Sequence, residues 1–323
     1  MSEAIARAHP NIAFIKYWGN RNHDLRLPAN SSLSMNLDGL QSETRVRFDS
    51  ALSKDQFILN GKNQSAEPLQ RLISFLNIVR GKASLRDHAL VESHNNFPAG
   101  AGIASSASAF AALALASSKA AGLELSEKEL SLLARRGSGS ASRSVPTGFV
   151  EFHAANKDED SFATSIAPPK HWALVDSIAI VNEEHKKTGS TDGHRFAETS
   201  PFQSIRVEGT QERLKQCKQA LLERDFEAFA EVVELDSNLM HAVMMSSQPP
   251  LLYWQPGTLE IVQHVRQWRR EGLAVCTTID AGPNVHVISL QEDSDEVSAR
   301  LQEISGVVKV LTAKPGGPAT EVS

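Results

Sequence analysis

Residues 97–110 read FPAGAGIASSASAF, an uncharged run with two glycines, Gly100 and Gly102, ahead of three serines. The preceding segment, HALVESH at 88–94, has the composition of a strand, and helix signals run from Ser105 to about Ala121, with Gly122 as a stop. Strand, glycine loop and helix start together make a device with a physical purpose. Glycine lets backbone N–H groups approach a ligand unobstructed. The first turn of a helix has unpaired N–H groups and a partial positive charge, and serines add hydroxyl donors. Such a place favours bound phosphate. The run matches neither GxxxxGK[ST] nor GxGxxG. A tight turn before a buried, alanine-rich helix fits the same residues, and taken alone they leave both readings open.

Working outward, NIAFI at 11–15 has the pattern of a buried strand. SSLSMNL at 31–37 and ETRVRFD at 43–49 alternate as strands with one solvated face do. Residues 67–80 predict an amphipathic helix, with Pro68 in its first turn and apolar positions at 69, 73, 76 and 79. SEKELSLLARRG at 126–137 opens with a Ser126–Glu129 capping box. GSGSASRSVPTG at 137–148 and NEEHKKTGSTDGHR at 182–195 read as loops, and ALVDSIAIV at 173–181 as a strand. Helices are predicted near 208–223, 226–243, 257–271 and 294–305, and strands at 274–280 and 284–290. The expected class is α+β, in two domains covering 1–182 and 183–323.

Composition narrows the function. The 323 residues carry 33 basic and 38 acidic side chains, a net charge of −5, which argues against a nucleic-acid partner. With 41% hydrophobic residues the chain can form a packed core. The two cysteines, Cys217 and Cys276, form no CxxC pair and read as reduced thiols of a cytoplasmic protein. No run approaches the ~20 apolar residues of a membrane span, so no membrane partner is expected. The eleven histidines show no HExxH spacing.

PAGAGIASSAS at 98–108 resembles the phosphate loop of the GHMP kinase superfamily. NIAFIKYWGNRN at 11–22, LPANSSLSMNL at 27–37, RRGSGSASRS at 135–144, DSNLMHAVMMSSQPPLLYW at 236–254 and DAGPN at 280–284 are, in order, similar to mevalonate diphosphate decarboxylases. The resemblance implies an S5-like N-terminal half, a ferredoxin-like C-terminal half, a site in the cleft between them and a homodimer. It implies ATP and Mg²⁺, a phosphorylated mevalonate as substrate, phosphorylation of the 3-hydroxyl, and loss of that phosphate with CO2.

Carried over residue by residue, the resemblance makes Asp280 the group that takes the hydroxyl proton. It puts Lys16 beside Asp280, keeping it ionised, and sets Arg143 to grip the substrate carboxylate with its planar fork. Tyr17, Asn20, Ser138, Ser140, Lys187 and Ser190 are expected around the substrate. Pro98, Gly100, Gly102, Ala104, Ser105 and Ser106 are expected around the nucleotide phosphates, Ser34 and Asn30 as supports, and Ser106 at the metal. MHAVMM at 240–245 reads as a packing face, and His185, His194 and His286 as incidental.

Two places depart from the family pattern. The family reads KYWGK, where the second lysine faces the terminal phosphates of the 5-diphosphate; here the residue is Asn20. In the mobile loop, Gly189, Asp192 and His194 replace the usual residues. Loss of a cation where the longer tail would lie favours mevalonate 5-phosphate as the substrate. The 5-diphosphate is the alternative, with Arg21 available to compensate for Asn20. A kinase that phosphorylates without eliminating is a further possibility, which Arg143 disfavours.

Overall fold

The computed structural model describes residues 2–97, 105–183 and 189–322. It is α+β, built on two large sheets. The first contains β1 (Ser2–Ala8), β6 (Ser42–Asp49), β7 (Gln56–Leu59), β8 (Lys62–Asn63), β9 (His88–Asn95) and β16 (Thr320–Val322), in the order β16-β1-β6-β9-β7-β8. Its pairings are antiparallel except β7 with β9. Two helices pack on it, α1 (Ala66–Ala83) and α2 (Ser105–Ala120), and α3 (Glu127–Gly137) packs on those two helices. Helix α2 is buried on almost every side, because Ala107, Ala111, Ala112, Ala114 and Ala116 let β1, β6 and α3 approach closely. On α1 the buried stripe is Leu72, Phe75, Leu76 and Val79. The Ser126–Glu129 capping box opens α3 as its sequence indicates.

The second sheet runs β11 (Ala163–Ala167), β10 (Phe149–Phe152), β5 (Ser32–Asp38), β15 (Lys309–Pro315), β12 (Leu174–Ile180), β14 (Val285–Leu290), β13 (Val275–Thr278), and β2 (Asn11–Ile15) also pairs with β5. Helices α6 (Thr210–Glu223) and α7 (Phe226–Ser246) cover one face, with Phe229 edge-on to Phe14 at 4.8 Å. Helices α8 (Pro256–Arg270) and α9 (Ser294–Gln302) cover the other, closing over Val275, Val285 and Val287. A short hairpin, β3 (Asn20–Asn22) and β4 (Leu27–Pro28), follows β2. Two more short helices, α4 (Ser190–Phe196) and α5 (Gln203–Glu208), precede α6.

Two departures from the sequence reading, and one feature of the second sheet, matter for the site. Strand β5 has no solvated face: Ser32, Ser34 and Asn36 are fully buried, and Asn36 Nδ2 donates to the Pro146 and Gly317 carbonyls. Its polar positions alternate because they meet polar partners, not water. The 137–148 loop contains a 3₁₀ helix, Gly139–Ser144, and the 182–195 loop ends in α4. Strand β12, on the N-terminal side of the expected 182/183 boundary, is hydrogen-bonded between β14 and β15. β15 in turn joins β5, so strands from both halves share one sheet.

Candidate active site

Strand β2 is buried throughout, and the chain emerges from it at Lys16. The Lys16 backbone is fixed from three sides. Its N–H donates to Asp236 Oδ2 at 2.6 Å, and its carbonyl accepts from Asn30 Nδ2 at 2.9 Å and Arg206 Nη2 at 2.8 Å. Its side chain, 1% exposed, reaches Asp280, with Nζ 2.6 Å from Oδ1. Asp280 follows β13 in a turn closed by Gly282 N–H on its own carbonyl at 2.8 Å. Helix α7 braces this turn from below. Ser237 Oγ accepts the Ile279 N–H at 3.0 Å, and His241 Nε2 lies 3.2 Å from the Ile279 carbonyl.

Charge follows geometry. Burial alone would raise the Asp280 pKa, but Lys16, then His286 and Arg143, hold the carboxyl below its ordinary value, so it is an anion at neutral pH. Burial lowers the Lys16 pKa, opposed chiefly by Asp280. Arg143, at 3% exposure, has neutral hydrogen-bond partners: Nε donates to Asn11 Oδ1 at 3.0 Å and Nη1 to Ser32 Oγ at 2.6 Å. Burial lowers its pKa to about 10, which leaves it a cation. A buried guanidinium held by neutral groups has capacity for an anion.

A row of hydroxyls leads from α2 into the 3₁₀ helix that carries Arg143. Ser106 Oγ lies 3.3 Å from Ser138 Oγ, which lies 3.2 Å from Ser140 Oγ. The first turn of α2 contains no acidic residue. Gly139, between the serines, is pressed on Tyr17: a Cβ there would overlap the ring. The Tyr17 hydroxyl donates to Asn20 Oδ1, and burial pushes its pKa up to about 12. His194 of α4 lies against both Tyr17 and Trp18, with ring centroids at 4.3 and 4.7 Å, and its Nδ1 accepts the Gly19 N–H at 2.9 Å. It therefore anchors α4 on the KYWGN segment instead of being incidental.

The structure brings Lys16, Asp280 and Arg143 into one electrostatic group and sets Tyr17, Asn20, Ser106, Ser138 and Ser140 beside it. Ser105 begins α2. Asn30 and Ser34 stand behind the site. Asn30 holds the Lys16 and Ser31 carbonyls and accepts from Arg206, and Ser34 Oγ donates to the Val150 carbonyl at 3.5 Å within the sheet. Both act through the protein instead of reaching outward. Ser190 opens α4. Pro98, Gly100, Gly102, Ala104 and Lys187 lie outside the described residues.

Sequence reasoning missed Asp236, Ser237 and His241 of α7, together with Arg206 and Arg213. Arg213 Nε pairs with Asp236 Oδ1 at 2.8 Å. The available signal was the spacing of DSNLMH: positions 236, 237, 240 and 241 lie on one helical face, and all four are buried.

Residues 8–163 match the family model of the diphosphomevalonate decarboxylase-like N-terminal domain, and 177–316 that of the mevalonate 5-diphosphate decarboxylase C-terminal domain. The diphosphomevalonate decarboxylase of Ganoderma lucidum is 38% identical over 320 residues, spanning 91% of this chain and 80% of that protein. The chain belongs to the mevalonate diphosphate decarboxylase family. A solved complex of MDDEF with MVAPP, AMPPCP and magnesium superposes with a TM-score of 0.94 at 40% identity, covering 100% of this chain and 99% of that one. A structure on mevalonate diphosphate-mediated ATP binding by the decarboxylase from Enterococcus faecalis gives 0.93 at 40% identity, with the same coverage. These relatives carry the diphosphate in their names, so the comparisons do not support the monophosphate branch suggested by Asn20.

Proposed function

We propose that this protein decarboxylates mevalonate 5-diphosphate to isopentenyl diphosphate at the expense of ATP. The observation that carries this reading is the 2.6 Å Lys16–Asp280 pair, with neutrally partnered Arg143 acting on the same carboxylate. An aspartate kept ionised in this way accepts the 3-hydroxyl proton as that oxygen bonds to the terminal phosphorus of ATP and ADP leaves. Arg143 grips the C1 carboxylate by a bidentate fork. The C1–C2 bond then breaks, its electron pair becomes the C2=C3 double bond, and the 3-phosphate departs with the C3–O pair. Asp280 carries the 3-hydroxyl proton through the elimination and releases it to solvent before the next turnover.

ATP and Mg²⁺ fit the residues present. The hydroxyls at the start of α2 face no acidic first-turn residue, and among the described residues no cluster of three or more His, Cys, Asp or Glu is built to hold a metal alone. Ser106 and the nucleotide phosphates would hold a magnesium ion here, and the ion would supply neutralising charge for those phosphates. Ser106 is the residue for that contact, with Ser138 orienting its hydroxyl.

The decisive experiment supplies Mg·ATP with mevalonate, its 5-phosphate or its 5-diphosphate, and follows CO2 and inorganic phosphate. The diphosphate should give the highest kcat/KM. Faster turnover of the monophosphate would overturn the substrate assignment, and ADP without CO2 would identify a kinase.

A further inference from the structure

A 5-diphosphate needs positive charge at its terminal phosphate, and position 20 holds an amide. Asn20 is buried; its Oδ1 accepts the Tyr17 hydroxyl, and its Nδ2 lies 3.4 Å from His23 Nδ1. Arg21 does not make up the charge. Its Nε and Nη2 donate to the Pro28 and Ala29 carbonyls, each at 3.0 Å, and its Nη1 to Asn156 Oδ1. All three nitrogens serve the outside of the hairpin.

Arg26 ends the turn of that hairpin, in which Asn22 faces Leu27 and Asn20 faces Pro28. Its backbone is left-handed, with φ +51. Glycine and asparagine adopt that conformation with less strain, so an arginine there points to a use for the side chain. Its Nε donates to the Arg136 carbonyl at 3.1 Å. Arg71 Nη2 donates to the next carbonyl, Gly137, at 2.8 Å. Two guanidinium groups therefore share the C-terminal end of α3, where the helix dipole attracts cations. They stand immediately before Ser138 of the hydroxyl row. Among the described residues neither forms an ion pair with a carboxylate; Arg26 is within electrostatic reach of the neutral Tyr17 hydroxyl, Arg195 and Arg136, and Glu67 is the carboxylate acting on Arg71. Of the cations acting on the Tyr17 hydroxyl, Arg26 acts most strongly, and that hydroxyl donates to the Asn20 amide oxygen. Neighbouring guanidinium groups repel, as Arg26 and Arg71 do, and a bound phosphate offsets that cost.

We propose that Arg26 recognises the terminal phosphate of the substrate's 5-diphosphate, supplying from the far side of the hairpin the cation that position 20 lacks. This rests on the diphosphate reading above. Charge at this subsite is transposed across the β3–β4 hairpin, from residue 20 to residue 26.

The test is steady-state kinetics of the full chain on both phosphorylated mevalonates, for wild type, Arg26→Asn and Arg26→Asn with Asn20→Lys. Asparagine suits the left-handed backbone, so R26N removes charge without adding strain. Losing a charge-assisted contact should raise the diphosphate KM roughly tenfold or more, with the monophosphate and ATP KM values within about threefold of wild type. The added lysine should recover most of that loss. An unchanged diphosphate KM in R26N, or an equal rise for both substrates, would overturn the assignment to Arg26. A wild type that prefers the monophosphate would instead overturn the diphosphate reading itself. Arg26→Gln keeps a donor for the Arg136 carbonyl and gives the same readout if R26N does not fold.

Discussion

Asp280 and Lys16 make a pair whose two halves are separable by experiment. Asp280→Asn keeps the shape and removes the base, so kcat should fall on the order of 10²- to 10⁴-fold while ATP still binds, measured by turnover and nucleotide titration. Replacing Lys16 by Met removes the largest influence holding the Asp280 pKa down. The carboxyl must be ionised to act, so the acid limb of the kcat/KM profile of the residual activity should move to higher pH; an unmoved limb would mean that Lys16 does not tune Asp280. His241 offers a stability test. Burial lowers its pKa from 6.5 to about 4. Above 6.5 both folded and unfolded chains hold it neutral, and pH has no effect through this group. Between 6.5 and about 4 the unfolded chain takes up a proton that the folded one refuses, so stability falls as pH falls. Denaturant titration at about pH 7 and about pH 5 should show a smaller loss in His241→Gln than in wild type.

At the scale of elements, α7 is the part that makes the site rigid. Asp236 holds the Lys16 N–H, and Ser237 and His241 hold the peptide before Asp280, so one helix sets both ends of the 2.6 Å pair. Asp236 is fully buried and paired with Arg213, with Arg206 Nη2 at 3.9 Å. Asp236→Ala leaves those cations and the Lys16 N–H without their anion, which should cost about 3–5 kcal/mol in unfolding free energy. Ser237→Ala removes one buried partner, at about 1–3 kcal/mol, and should lower kcat with little change in the KM for ATP. The reason MHAVMM reads as mere packing is that Met240, Val243 and Met244 do pack, against Trp18 and Leu251. Periodicity reports the buried face of a helix and is silent on which buried polar group meets which backbone.

Across the whole molecule, β15 is the strand that joins the halves, bonded to β12 along five positions and to β5 at two. Ending the chain after residue 308 should therefore abolish a single cooperative calorimetric transition, whereas ending it after Pro318, which removes edge strand β16, should only lower Tm. Strand β15 is also what the sequence hid. KVLTAKP does not alternate cleanly, and its burial pattern is mixed because its neighbours come from residues about 130 and over 270 positions away. Its partners exist only once the chain has folded. By contrast, the sequence by itself determined the buried strand at 11–15, the helix from Ser105 and the capped helix from Ser126, and singled out Lys16, Arg143 and Asp280 as candidates. Each of those rests on local composition or on a motif whose chemistry allows few substitutes. The resemblance set Lys16 beside Asp280, 264 residues away, and tertiary structure decided that they pair directly at 2.6 Å, that α7 braces both, and that Asn30 and Ser34 turn inward. It also decided the fate of charge near position 20. The sequence shows a lysine missing there, but only the hairpin register and the end of α3 bring Arg26 beside Tyr17. Electrostatic interaction depends on distance in space, and sequence separation carries almost none of that information.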